Sequence, residues 1–181
     1  MFVDRQESKA PLASLDDCPS PEWYAIRTRS RHENRVLTQI EGRGIEGFLP
    51  LISRRRQWRD RRVEVAFPLF SGYCFARFPW PERLRVLTAF GVVGLVGING
   101  HAEPVPDHEI QAVMRLVTCT LPVDPHPYIE EGDTVEVIRG PLAGMRGLLL
   151  RKDRSARFVI SLNLIRQGAS VALDAADIAP V

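Results

Sequence analysis

Apolar and polar residues partly alternate along residues 23–30, "WYAIRTRS", which predicts a β-strand. Ser30 stands three residues before Glu33, the spacing of a helix capping box, which predicts that a helix follows. The apolar face of that helix comprises Val36, Leu37 and Ile40. Regular structure therefore begins with a strand and then a helix.

Further apolar segments continue this pattern as far as residue 120. The extended segments are 45–52, 73–78 and 92–98. Between the first two, the arginine-rich residues 53–62 are interpreted as a charged connection or as the solvated tip of a hairpin. One helix is predicted to begin at Pro81. A second helix, with apolar residues at helical spacing, is predicted to begin at Pro106. This succession predicts an α+β domain over residues 22–120, with an antiparallel sheet flanked by helices.

Three prolines in residues 120–128 prevent the last helix from continuing, so we interpret 121–127 as a semi-rigid linker. Beyond the linker, residues 128–181 contain four or five short alternating segments separated by turn residues. So many short strands in a small domain predict an all-β barrel.

Composition indicates a globular protein, with 45% hydrophobic and 25% charged residues. No apolar run approaches the ~18 residues that cross a bilayer, so we expect a cytoplasmic monomer without a membrane contact. Residues 1–21 are polar and predict a disordered tail. The three cysteines are far apart, which favours incidental thiols over a disulfide framework or a metal cluster.

Positive charge is concentrated in the first domain, where residues 23–120 carry 15 Arg and Lys against 9 Asp and Glu. Residues 128–181 carry 7 of each, so an anionic partner would be steered to the first domain. Arginine side chains there form two groups that could contact nucleic acid. The candidates are Arg29, Arg31, His32 and Arg35, and in the second group Arg54, Arg55, Arg56, Arg59, Arg61 and Arg62.

The sequence shows no pattern typical of catalysis. It lacks a phosphate-binding loop, a nucleophile elbow and the histidine spacing of a metal site. His108 and Glu109, at a helix start, are interpreted as capping and surface residues. We therefore expect no enzyme activity, no cofactor and no metal.

The segment "PLFSGYCFARF", residues 68–78, has bulky apolar side chains on both faces of a predicted strand. Period-two alternation puts Tyr73 and Phe75 on one face, and Cys74, Ala76 and Phe78 on the other. A sheet with helices on one side needs only one apolar face. The pattern alone leaves two explanations open: helices of the same domain cover both faces, or one face binds a partner.

The segments "WYAIRTRSRHENRV", "GIEGFLP", "PLFSGYCFARF" and "GVVGLVG" resemble the N-terminal domain of the NusG family of transcription elongation factors. The later segment "EEGDTVEVIRGPLAGMRGLLLR" is similar to the KOW motif of the same family, which forms an SH3-like barrel. Glycines 140, 144 and 147 fit turns and a close backbone approach in such a barrel. The resemblance covers about residues 22–181.

The resemblance implies that Phe70, Tyr73 and Phe75 bind the clamp helices of the largest subunit of bacterial RNA polymerase and are surplus to folding. The basic groups would then face upstream or non-template DNA. In the family, the KOW domain binds the NusE ribosomal protein or Rho through a Phe-Gly-Arg loop. Here that loop reads Ile165, Arg166 and Gln167, so the sequence leaves binding of NusE or Rho open.

Ser71 stands where the family usually has a proline. The amino-acid sequence of the first domain resembles those of the RfaH- and UpxY-type regulators, which act on particular operons. We therefore expect an operon-specific antitermination factor. An alternative is a ribosome- or RNA-binding KOW protein, although residues 128–181 have no net charge and few exposed rings. An RfaH-like helical C-terminal domain is also conceivable, but the β-branched residues favour strands.

Overall fold

The computed structural model describes residues 19–58, 61–98, 100–128, 132–152 and 155–181, without the side chains of 54–63, 127, 151–156 and 175. Helices α1, α2 and α3 span Glu33–Glu41, Arg83–Leu87 and Asp107–Thr118. Strands β1 to β9 span Glu22–Thr28, Glu46–Phe48, Leu51–Trp58, Arg61–Pro68, Tyr73–Phe78, Val92–Leu95, Gly97–Ile98, His101–Ala102 and Pro104–Val105. Strands β10 to β15 span Val123–Pro127, Asp133–Val137, Arg146–Lys152, Ser155–Leu162, Gln167–Leu173 and Ile178–Pro180.

The N-terminal domain is built on an antiparallel sheet in the order β2-β5-β1-β6, with β9 also paired to β1. The predicted aromatic strand is β5, which lies between β1 and β2. Its register places Phe75 opposite Ala25 of β1 and Phe48 of β2. Sheet and helices agree with the α+β domain predicted from the sequence.

Both faces of this sheet are covered by helices of the same domain. One face packs against α1 and α2 in a buried cluster that contains Tyr24, Ile26, Val36, Ile40, Cys74, Ala76, Phe78 and Val86. The other face packs against α3 in a cluster that contains Trp23, Ala25, Phe75, Ile110, Val113 and Leu116. Of the two explanations for the doubly apolar strand, the structure therefore shows internal packing on both faces.

The C-terminal residues form a six-stranded antiparallel sheet in the order β10-β14-β13-β12-β11-β15. Its buried side chains include Val135, Val137, Leu142, Phe158, Ile160, Leu162 and Val171. A C-terminal domain of strands agrees with the prediction from the sequence. The segment interpreted as a linker includes β10, which is hydrogen-bonded along its length to β14.

One prediction about the first domain's strands is wrong, and an open one is decided. The predicted strand 45–52 is divided at Pro50 into β2 and β3, since proline lacks the amide that would continue the ladder. Of the two interpretations of the arginine-rich stretch, the structure shows the hairpin, formed by β3 and β4, in which Leu51 is paired with Pro68 and Trp58 with Arg61.

The predicted capping box at the start of α1 is also wrong. The residue before the helix is His32, whose side chain makes no capping hydrogen bond. Glu33 Oε1 instead accepts a hydrogen bond from the Gly72 amide, in a distant turn that is described below.

Residues 1–18, most of the predicted tail, lie outside the described residues. Within the part of the chain that the structure describes, no helix is both long and apolar enough to cross a membrane.

Candidate functional site

The turn before β5 is fastened to the first helix and the first strand. Gly72 has a φ of +84°, a left-handed conformation that favours glycine. Its amide donates to Glu33 Oε1 at 2.7 Å, and its carbonyl accepts from the Thr28 amide at 2.8 Å. Glu33 is buried, so this charge-assisted hydrogen bond is shielded from water. The turn therefore holds Phe70 and Tyr73 in fixed positions.

The three rings predicted to bind polymerase differ in accessibility. Phe70 and Phe75 are 1% and 0% exposed, and their ring centroids lie 6.3 Å apart in an edge-to-face arrangement. Tyr73 is only partly buried, against the same apolar cluster. The expectation that all three are surplus to folding is wrong for Phe70 and Phe75, because both belong to the domain's core.

The apolar cluster that holds these rings extends into the C-terminal domain. It includes α3 residues, among them Ile110 and Leu116, together with C-terminal residues such as Met145 and Phe158. Hydrogen bonds between described residues join α3 to the C-terminal domain. Asn163 Nδ2 donates to Glu109 Oε1 at 3.0 Å, and Arg115 Nη2 donates to the Ala143 carbonyl at 2.7 Å. The two domains thus share one apolar core in this arrangement.

The burial of Glu109 contradicts the interpretation of this residue as a surface residue. It is 8% exposed, and its Oε2 atom has no hydrogen-bond partner among the described residues. Burial raises the pKa of this carboxyl group, and the hydrogen bond from Asn163 and the charge of His108 lower it in part. Glu109 lies four residues before Val113, on the buried face of α3, and that spacing could have revealed its position.

An open cleft of about 720 Å³ lies between α3 and the C-terminal domain. Its charged and titratable lining comprises His108, Glu109, Arg115, Tyr128 and Arg146. The Tyr128 hydroxyl donates to Asn163 Oδ1 at 2.9 Å, which orients the Asn163 amide toward Glu109. No linear pattern in the sequence points to Asn163.

The first basic group assembles around the exposed aromatic ring of Phe90. Phe90 lies after α2 and is 51% exposed. The Arg35 guanidinium lies 4.3 Å from its ring centroid, and that of Arg29 lies 5.7 Å away. The His32 ring is 5.7 Å from it. Arg31, the remaining member, is exposed and has a φ of +61°.

The second basic group lies on the β3–β4 hairpin. The backbones of Arg54, Arg55, Arg56, Arg61 and Arg62 belong to the two strands. Their side chains, and the whole of Arg59, lie outside the described residues. This part of the predicted nucleic-acid contact stays a prediction.

The predicted KOW partner loop connects β13 to β14. Ile165 is 6% exposed and belongs to the shared core. Arg166 is exposed, has a φ of +49° and lies 5.0 Å from the ring centroid of Tyr128. Arg166 therefore has a left-handed backbone conformation, which non-glycine residues rarely adopt.

Groups suited to metal or thiol chemistry are sparse. Among the described residues, no cluster of three or more His, Cys, Asp and Glu side chains could hold a metal ion. Burial raises the pKa of Cys74 to about 12, and the nearby Glu33 carboxylate adds to that effect. A thiol with this pKa is protonated at neutral pH and unreactive.

Comparisons with known proteins agree with the fold. A family model described as "Transcription termination factor nusG" matches residues 21–114. The chain is 25% identical over 178 residues to the transcription termination/antitermination protein NusG of Escherichia coli K12, across 88% of this chain and 96% of that protein. It is 27% identical over 143 residues to the transcription elongation factor Spt5 of Acidianus ambivalens, across 79% and 82%.

A solved structure described as "Domain interaction in Thermotoga maritima NusG" is similar over 89% of this chain and 97% of that chain. The TM-score is 0.54 and the sequence identity is 22%. At this identity the likeness shows a common fold.

Proposed function

Because the chain belongs to the NusG family of transcription elongation, termination and antitermination factors, we propose that it binds RNA polymerase through its N-terminal domain. Proteins of this family work with RNA polymerase and are not enzymes. The proposed target is the pair of clamp helices of the largest subunit, and the proposed contact surface is centred on Tyr73. The supporting observation is the aromatic cluster at the start of β5, inside the matched segment.

The accessibility of the rings determines how they would act. Tyr73 is partly exposed and can contact a partner directly, whereas Phe70 and Phe75 support it from below. The shared core suggests that the C-terminal domain restricts access to this cluster. We therefore propose that the domains separate when polymerase binds. A domain interaction is also named in the description of the Thermotoga structure.

Replacing Tyr73 tests the proposed contact. Tyr73→Ala should weaken binding of the full-length chain to purified core RNA polymerase by roughly 30-fold, the effect typical of an aromatic hot spot. Tyr73→Phe keeps the ring and should bind nearly as well as the wild type. Binding would be measured by biolayer interferometry, with thermal unfolding as the folding control.

Equal affinity of the Tyr73→Ala variant and the wild type would contradict the proposal. Phe70→Ala and Phe75→Ala are poor substitutes, because truncating a buried phenylalanine destabilises a protein by about 3–5 kcal/mol. Loss of binding by those variants would not separate contact from folding.

For the C-terminal domain we propose an SH3-like KOW barrel that binds a further factor. Gly140 and Gly144 have φ values of +85° and +80°, as turns in such a barrel need. A Cβ atom on Gly147 would lie 2.6 Å from the Val159 carbonyl oxygen, so the strands approach closely there. Since Ile165 is buried, Arg166 is the more accessible member of the proposed contact for NusE or Rho.

Two further parts of the proposal concern the DNA. The basic residues Arg29, Arg31, His32 and Arg35, with the hairpin arginines, would contact upstream or non-template DNA. The RfaH- or UpxY-like features of the sequence support action on particular operons. Mapping of chromosomal loci bound by the factor would test this, and uniform occupancy of all transcribed genes would contradict it.

A further inference from the structure

The ring of Phe90 is exposed and its backbone is held rigidly. The Gln39 side chain makes two hydrogen bonds to Phe90: Nε2 donates to its carbonyl and Oε1 accepts from its amide, each at 3.0 Å. The next residue, Gly91, accepts a hydrogen bond at 2.8 Å from the Arg29 amide and packs closely on His32. The ring is therefore presented at a defined place beside β1 and α1.

The surroundings of this ring are cationic. Arg29 and Arg35 lie 5.7 and 4.3 Å from its centroid, and exposed Arg31 stands between them in the chain. Among the ion pairs between described residues, none involves these three arginines. The carboxylate of the nearby Glu33 is buried and accepts a hydrogen bond from the Gly72 amide. The arginines thus keep their charge available for an anionic ligand.

We propose that Phe90 is a base-stacking platform for single-stranded nucleic acid and that Arg29, Arg31 and Arg35 contact the adjoining phosphates. This deepens the nucleic-acid part of the proposed function and rests on it. An exposed aromatic ring among arginines matches the two needs of an unpaired strand, a flat apolar surface for a base and cations for the backbone. A duplex keeps its bases stacked inside and cannot use the ring.

The present position of Arg35 over the ring is compatible with this role. An exposed cation–π contact contributes about 0.5–1 kcal/mol, whereas stacking of one base on an aromatic side chain contributes about 1–3 kcal/mol. A base can therefore displace the guanidinium. Once displaced, Arg35 is free to hydrogen-bond a phosphate, so the exchange adds a second contact.

The test uses the full-length chain and fluorescently labelled strands of mixed sequence, about 12 nucleotides long, a length within the usual site sizes. Fluorescence anisotropy would compare single-stranded DNA, single-stranded RNA and duplex DNA. Phe90→Leu should weaken single-strand binding about tenfold and leave its salt dependence unchanged. Arg35→Gln should weaken binding and also reduce the slope of log affinity against log salt by about one unit.

Two matched variants complete the design. Phe90→Trp keeps a stacking ring and should bind at least as well as the wild type. Leu84→Ala removes another exposed apolar side chain, 61% exposed on α2, and should change nothing. Tighter binding of DNA than RNA would identify the non-template strand as the ligand, and the reverse would identify the transcript; both support the platform.

Wild-type affinity in the Phe90→Leu variant, or preference for duplex over single strand, would overturn the proposal. Absence of any nucleic-acid binding would overturn it together with the DNA part of the proposed function. The conclusion about polymerase binding comes from the separate experiment with the Tyr73 variants and does not depend on either result. Failure of this inference is thus distinguishable from failure of the proposed function.

Discussion

Glu33 and Gly72 form a local contact on which the position of the aromatic turn depends. The carboxylate and the amide are 39 residues apart in sequence, and the bond between them is largely buried. The turn also binds β1 through the Thr28 amide. A single buried acceptor therefore links α1 to the residues that carry the proposed polymerase contact.

Glu33→Ala should lower the free energy of unfolding by about 1–3 kcal/mol, because the partly buried Gly72 amide would lose its acceptor. Glu33→Gln retains an oxygen acceptor and should lose less. Urea denaturation of both variants would measure the difference. The neighbouring Asn34 is exposed, so Asn34→Ala is a control that should be near neutral. Equal stability of Glu33→Ala and the wild type would contradict this role.

Helix α3 makes two sets of contacts that serve different parts of the molecule. Ile110, Val113 and Leu116 pack on the N-terminal sheet, whereas Glu109 and Arg115 bond to the C-terminal domain. Period-3.6 spacing predicted that α3 has an apolar face, which includes Ile110 and Val113, but not which surface it packs against. For the second set, the spacing of Glu109 to Val113 could have revealed that Glu109 is buried, but not its partner Asn163, because a polar residue at a domain interface looks like a polar surface residue until the other domain is placed.

The remaining differences between sequence and structure have similar causes. The alternation around Phe75 identified β5 and its two apolar faces, but did not reveal that α3 covers the second one. Glu33 matched a capping box, and tertiary structure supplied a competing donor, Gly72. Phe90 has the spacing of a helical core residue, yet α2 ends at Leu87 and leaves the ring outside.

Glu109 should make the contact between the domains depend on pH. Its pKa is raised by burial, so the closed arrangement binds the proton more tightly than an arrangement in which the carboxyl meets water. The stabilisation is full below the ordinary Glu pKa of 4.5 and is lost as pH rises through the raised value. The same cleft is lined by His108, Arg115 and Arg146. Their charges do not reverse the direction in which the contact changes with pH.

Small-angle scattering of the full-length chain would measure this, with a larger radius of gyration expected at neutral pH than near pH 4.5. Glu109→Gln mimics the neutral carboxyl group and should remove most of the pH response. Asp107→Asn, an exposed substitution on the same helix, should leave the response intact. A full response in the Glu109→Gln variant would contradict the assignment.

At the scale of the whole molecule, the two domains share one apolar core. The rings proposed to bind polymerase lie in that core or pack against it. A protein in which only a fraction of molecules is open binds its partner with an affinity reduced by that fraction. The contacts of Asn163 and Arg115 favour the closed arrangement, and both residues are exposed, so they can be replaced without damage to either core.

The affinity of the full-length chain for core RNA polymerase, with and without these contacts, tests the central claim most directly. Each hydrogen bond contributes about 0.5–1.5 kcal/mol, so the Arg115→Ala, Asn163→Ala double variant should bind polymerase roughly tenfold more tightly than the wild type. Arg139→Ala, an exposed arginine of the C-terminal domain, is the control and should bind like the wild type. No polymerase binding by the wild type, or equal or weaker binding by the double variant, would contradict the account.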